Sequence, residues 1–243
     1  MRIASLIFFL ILLTAPVCFA SFSIPQNLSA ADRKQAMDVL GLGTASKFLS
    51  TAYPLGGYSG LEVSASGESF DVDSVNRLGN GSGGADSLFF PQITVGKGLY
   101  NHSDIFISFV PFKESSKLSR FGLQYRASLY QADFFPINIS MLLHGNSANI
   151  NNQLTTRTIG GDLIIGTMIN DFSFNITGGY VDSSGDFIGG VNGVTDTGET
   201  ERSSTSSLHL GMSAVYRWDM VIFGLSIDRY RDAAFKFKIG LFL

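Results

Sequence analysis

Ala234-Phe-Lys-Phe-Lys-Ile-Gly-Leu-Phe-Leu243 alternates without a break. Phe235, Phe237, Ile239, Leu241 and Leu243 share one face of a strand, while Lys236, Lys238 and Gly240 share the other. A wholly apolar face opposite a lysine-bearing one fits a strand whose outside meets lipid and whose inside meets a polar interior. The pattern predicts a strand in the wall of a membrane-spanning barrel.

The other end is consistent with export. Met1-Arg2 is a short positive region, Ile3 to Leu13 an apolar core, and Cys18-Phe-Ala20 a small-x-small site before Ser21, the layout of a cleaved secretory signal peptide over 1–20. Cys18, the single cysteine of the chain, falls inside it, so the mature protein carries no thiol, disulfide or cysteine metal site. Ala15-Pro-Val-Cys18 lacks the Leu and small residues of a lipid-attachment site. Past the signal no apolar run approaches the roughly 18 residues of a spanning helix, so the membrane must be crossed by strands. A net charge of -3 without a basic stripe excludes nucleic acid as a partner.

The mature chain divides in two. Over 21–57, Ser29-Ala-Ala-Asp-Arg-Lys-Gln-Ala-Met-Asp-Val-Leu40 reads as a short amphipathic helix, with Ser29 as N-cap, Asp32 in the first turn and Ala36, Met37, Leu40 and Leu42 on its apolar face. This segment is expected to be a plug in the lumen or a piece resting at the periplasmic rim. From 58 to 243 the chain is strands and turns. Period-two alternation places strands near 58–70, 89–100, 104–112, 118–131, 134–144, 153–169, 172–181, 206–217, 220–229 and 234–243. Connections alternate in length, as in a barrel with both ends at one mouth. Asp71 to Leu88 and Asp182 to Thr205 are long, Lys113 to Lys117 and Gly145 to Asn152 are intermediate, and Asn101-His-Ser, Ala132-Asp, Asn170-Asp and Trp218-Asp are tight. The last connection, near Tyr230 to Asp232, is short against that rule. The fold expected is all-β: an up-and-down antiparallel transmembrane barrel of about ten strands, eight to twelve being compatible, with a short N-terminal helix.

Parity then sorts the side chains. Leu123, Tyr125, Ile139, Met141, Phe174, Ile176, Leu210, Met212, Phe223 and Leu225 look outward; Glu62, Gln124, Arg126, Asn138, Asp162, Asn175, His209, Asp228, Lys236 and Lys238 look inward. Charges of both signs in so narrow a lumen are expected to neutralise one another.

The export signal, the alternating strands and the apolar C-terminal ladder resemble Gram-negative outer-membrane β-barrel proteins of the small porin-like class, from about Tyr58 onward. The resemblance implies an outer-membrane location, with lipid and the barrel-assembly machinery as partners, the latter reading the strand of Phe235, Phe237, Ile239, Leu241 and Leu243. It departs from the class where Leu243 replaces the usual closing aromatic and Phe242 lies on the other face. A small passive pore is the first function expected; a non-conducting structural or surface-binding barrel acting through its long loops is the second.

Enzymatic readings fare poorly. His144-Gly-Asn-Ser147 resembles the His and Ser of lipid A deacylases at the wrong spacing, which favours a polar rim role for His144. Omptin-like proteases need an Asp-x-His, which the chain lacks. Asp186, Asp196, Glu199 and Glu201 are oxygen ligands of the kind calcium takes, but without an EF-hand register they read as a solvated acidic loop. No enzyme activity, cofactor or metal is expected.

Overall fold

The computed structural model describes residues 22–81, 84–111, 118–132, 136–191 and 193–243, so the expected signal peptide lies outside the described residues. Ten strands follow one another: β1 Leu61–Asp71, β2 Ser87–Leu99, β3 Ser103–Phe109, β4 Leu118–Gln131, β5 Ile137–Ile150, β6 Leu154–Ile169, β7 Phe172–Phe187, β8 Glu201–Trp218, β9 Val221–Arg229 and β10 Ala233–Phe242. Each pairs antiparallel with the next, and β10 pairs with β1 from Glu62↔Phe242 to Phe70↔Ala234, closing the barrel. Closure gives every strand a partner on both sides over part of its length, the condition for a sheet to cross lipid.

Local chemistry sets the reversals. Asn101 and His102 have φ of 61° and 54°, and Asn151 and Asn152 have 55° and 57°, the left-handed pairs that join two strands without splaying them. Outside, Phe235, Phe237, Leu225 and Leu210 are more than half exposed, an arrangement suited to lipid and a liability in water. Inside, Glu62, Gln124, Arg126, Asp162, His209, Asp228, Lys236 and Lys238 are all buried.

Three strands outrun their expected bounds at the long-loop mouth. Gly145-Asn-Ser-Ala-Asn-Ile150 continues β5, with Asn146, Ala148 and Ile150 buried inside, and the connection to β6 shrinks to residues 151–153. Those turn-forming residue types are held extended because β4 and β6 flank them on both sides. Likewise β7 runs on to Phe187 and β8 starts at Glu201, leaving 188–200 as the loop. His144 is consequently not a rim residue: it faces the interior and is buried. The wall is lopsided, with β6, β7 and β8 of 16, 16 and 18 residues against 9 and 10 for β9 and β10.

The segment before β1 lies within this wall. Helix α1, Ala30–Ala36, opens with a capping box in which Ser29 accepts from the Asp32 backbone N–H and Asp32 accepts from that of Ser29. A π-turn at Met37–Gly41 follows, packed against β6, β7 and β8 at the long-loop mouth. The chain then descends the lumen and reverses at Gly56 and Gly57, whose φ of 94° and 69° favour glycine, before entering β1 at the short-turn mouth.

Candidate functional site

Residues 44–53 pass through the barrel in an irregular conformation with no strand beside them. Their backbone carbonyls need partners, because a buried unpaired carbonyl costs about as much as a lost hydrogen bond. The wall's side chains supply them. On alternate residues, the Ala45 carbonyl accepts from Arg120 Nη2 at 2.6 Å, that of Lys47 from Lys236 Nζ at 3.0 Å, and that of Leu49 from Lys238 Nζ. Thr51 and Tyr53 carbonyls accept from the two terminal nitrogens of Arg126 at 2.6 and 2.9 Å. Between them, the Thr44 carbonyl accepts from Asn146 and that of Ser50 from Asn175 Nδ2 at 3.1 Å. Cations and amides of β4, β5, β7 and β10 thus replace the strand this segment lacks.

Carboxylates hold those cations in place. Glu68 accepts from the Lys47 ammonium, from Arg120 Nη1 at 3.0 Å and from Gln92 at 2.9 Å. Glu62 accepts from Lys238 Nζ at 2.7 Å and from Ser50 Oγ at 2.6 Å. Asp104 takes Arg126 Nε at 2.8 Å and also the Leu55 backbone N–H at 2.9 Å. The Arg126 guanidinium lies 5.0 Å from the Phe48 ring centroid, so wall and segment stack as well as bond. Lys47, Arg120, Arg126, Lys236 and Lys238 are balanced by Glu62, Glu68, Asp104, Asp162 and Asp228, five fixed charges of each sign, all buried.

A second cluster occupies the β5 to β9 side. His209 stands between Asp162, 2.8 Å from Nδ1, and Asp228, 3.0 Å from Nε2, and stacks on Tyr230 at 4.5 Å. His144 Nε2 lies 3.1 Å from the other oxygen of Asp162, off the hydrogen-bond direction. Ser147, three residues beyond His144 and its partner in the hydrolase comparison, is exposed on the outer face, so the pair cannot meet.

Toward the long-loop mouth the seal changes character. Phe22, Ile24, Leu28, Met37 and Leu40 pack with Phe70, Phe90, Ile150, Leu154 and Phe187 of the wall and Val194 of the β7–β8 loop. The Leu28 N–H donates to the Val194 carbonyl at 2.7 Å, and Arg33 holds the Leu28 carbonyl and Asp196, each at 2.7 Å. Asp186 and Glu201, which the structure places at the ends of β7 and β8 and not in the loop, lie 3.8 and 3.9 Å from Arg202 and Arg33, and no metal-ligand group exists among the described residues. Deeper, the gap between residues 46–49 and the wall holds about 10 Å3, at the limit for one water.

The ten residues that parity turns inward are all buried: Glu62, Arg126, Asn175, Lys236 and Lys238 at the threaded segment, Asp162, His209 and Asp228 in the histidine cluster, and Asn138 beside Ser128 and Ser140. Gln124 lies beside residues 46–49. Glu68, Asp104, Arg120 and Lys47 complete the network. The first three share the inward parity of their strands and were legible in principle; Lys47 sits in a stretch with no period to read. On β10, Phe235 and Phe237 are exposed and Ile239 and Leu241 partly so, and Leu243, just past the strand, is exposed as well.

The architecture is a closed ten-stranded antiparallel barrel with an apolar outer face and a filled, polar interior. The sequence matches no protein-family model and no curated relative. Among solved structures it is similar to the N-terminal β-barrel domain of Pseudomonas aeruginosa OprF, with TM-score 0.40 and 9% identity over 77% of this chain and 99% of that one. The outer-membrane protease OmpT from Escherichia coli gives 0.38 and 8% over 82% and 97%. Ail, the attachment invasion locus protein of Yersinia pestis, gives 0.33 and 13% over 74% and 95%. At these values the likeness assigns neither a family nor an activity.

Proposed function

We propose that this protein is a barrel of a Gram-negative outer membrane, exported by a cleaved signal at 1–20 and inserted by the barrel-assembly machinery through its β10 ladder. In this reading the barrel is held shut by its own residues 22–60 and acts at the membrane surface, through the 72–86 and 188–200 loops, rather than as an open pore. The observation that carries it is the series of lumen cations bonded to the carbonyls of Ala45, Lys47, Leu49, Thr51 and Tyr53. A segment held at so many points, with its carboxylates also paired, is costly to withdraw. Passive transport, the other reading of the sequence, requires that withdrawal. No catalytic role belongs to this proposal.

Planar-bilayer conductance tests it, comparing refolded mature protein with a version starting at Gly56, folding being scored by a heat-dependent gel shift. Silence from the mature protein and discrete steps from the truncated one are expected. Regular steps from the intact protein would overturn the closed-barrel reading and restore the pore.

A further inference from the structure

We propose that the outer face of β6, β7 and β8 at the long-loop mouth binds the phosphorylated sugar headgroup of a membrane glycolipid. The inference rests on the barrel spanning a membrane and extends that reading to one lipid class. The register of these strands lines their outward residues up in rows. From the short-turn end, Ile169/Phe172/Tyr216, Thr167/Phe174/Ala214, Ile165/Ile176/Met212, Leu163/Gly178/Leu210 and Gly161/Tyr180/Leu208 are almost wholly apolar. The next rows change abruptly, to Ile159/Asp182/Ser206 and then Arg157/Ser184/Ser204. From Ile169 up to Ile159 the strand advances about 33 Å at about 3.3 Å per residue. A tilt of about 40° brings that to about 25 Å, the height of an outer-membrane apolar band. The polar rows therefore stand at headgroup level.

A cleft of about 520 Å3 opens there, lined by Lys34, Arg157, Arg231, Asp182, Ser183 and Ile159 among others. Lys34 and Arg231 reach it because β9 ends at Arg229 opposite Leu210, leaving the edge of β8 above that point without a strand partner. Through that notch Asp38 meets both Thr205 and Arg231, bringing the N-terminal helix alongside β8. Neither Lys34 nor Arg157 has an ion-pair partner among the described residues. With Asp182 and Asp38 counted, three cations face two carboxylates, and both unpaired cations are free to take an anion. Ser184, Ser204 and Ser206 add outward-facing hydroxyls to the cleft from the same rows.

The chemistry selects an amphipathic occupant. Arginine and lysine suit phosphate oxygens. The many hydroxyls suit sugar hydroxyls, and the volume exceeds what one phosphate fills. Ile159, 69% exposed, continues downward into Leu208, 72% exposed, and Tyr180, giving acyl chains a path along the barrel. A soluble phosphate would use the cations and leave that path empty.

Native mass spectrometry of the refolded mature protein, titrated with bis-phosphorylated lipid A, tests this. Arg157→Gln is compared with Arg77→Gln, an equal charge change at the same mouth outside the cleft, and Lys34→Gln is the second cleft variant. Retained folding and heat-dependent gel shift in every variant keep failure of the site apart from failure of the barrel. One lipid A per barrel is expected, weakened about tenfold by Arg157→Gln or Lys34→Gln and less than about twofold by Arg77→Gln, on the scale of one charge-assisted hydrogen bond. Equal binding by wild type and both cleft variants would overturn the site. Thermal stabilisation by inorganic phosphate matching that by lipid A would overturn the lipid assignment and leave a soluble anion as ligand.

Discussion

The lumen is closed twice, by opposite means. At the long-loop mouth, Met37, Leu40 and Phe22 meet Phe70, Phe90 and Phe187 in an apolar cluster like the core of a soluble domain. At mid-depth, residues 45–53 meet Arg120, Arg126, Lys236 and Lys238 through backbone carbonyls. An apolar seal is graded, since each side chain adds area independently. A polar seal is interdependent, since removing one partner strands a buried charge. The two regions should answer mutation differently.

The largest effect is expected from Glu68→Ala, which leaves Lys47 and Arg120 facing each other without their shared carboxylate. Loss of one member of a buried ion pair costs about 3–5 kcal/mol, read as a lower urea midpoint for the refolded barrel. Leu40→Ala in the apolar seal comes next, at about 2–5 kcal/mol for a fully buried leucine, its cost eased where neighbouring side chains relax into the space. Were Leu40→Ala the costlier of the two by the same urea titration, the apolar mouth would be the principal clamp and the comparison would reverse. Ser29→Ala removes the capping hydroxyl and should cost about 1 kcal/mol. Its signature is faster hydrogen exchange confined to residues 30–36, with the amides of β1 to β10 unchanged. Smallest is Arg77→Ala, whose pairing with Asp73 lies in solvent; a shift beyond about 0.5 kcal/mol would mean the 72–86 loop is coupled to the seal.

The limits of sequence reading follow the same division. In β10, Phe235 to Leu243 repeat every second residue because lipid and lumen impose opposite demands on the two faces, so face, fold and most lumen residues were readable. Gly145 to Ile150 misled because asparagine, serine and glycine announce turns, and their extended state is fixed only by neighbours on both sides. His144 was misplaced with them.

What the sequence determined by itself was the wall: about ten strands, the inward parity of Glu62, Arg126, Asp162, His209, Asp228, Lys236 and Lys238, and a capped helix at Ser29, all consequences of short-range sequence pattern. The tertiary structure decided what those residues hold. Residues 44–53 have no period, and their bonds to Arg120, Asn146, Asn175 and Lys238 span separations of 75 to 189 residues. Backbone carbonyls are alike in every residue, so nothing in the identity of Ala45 or Thr51 announces that a buried arginine will be aimed at it.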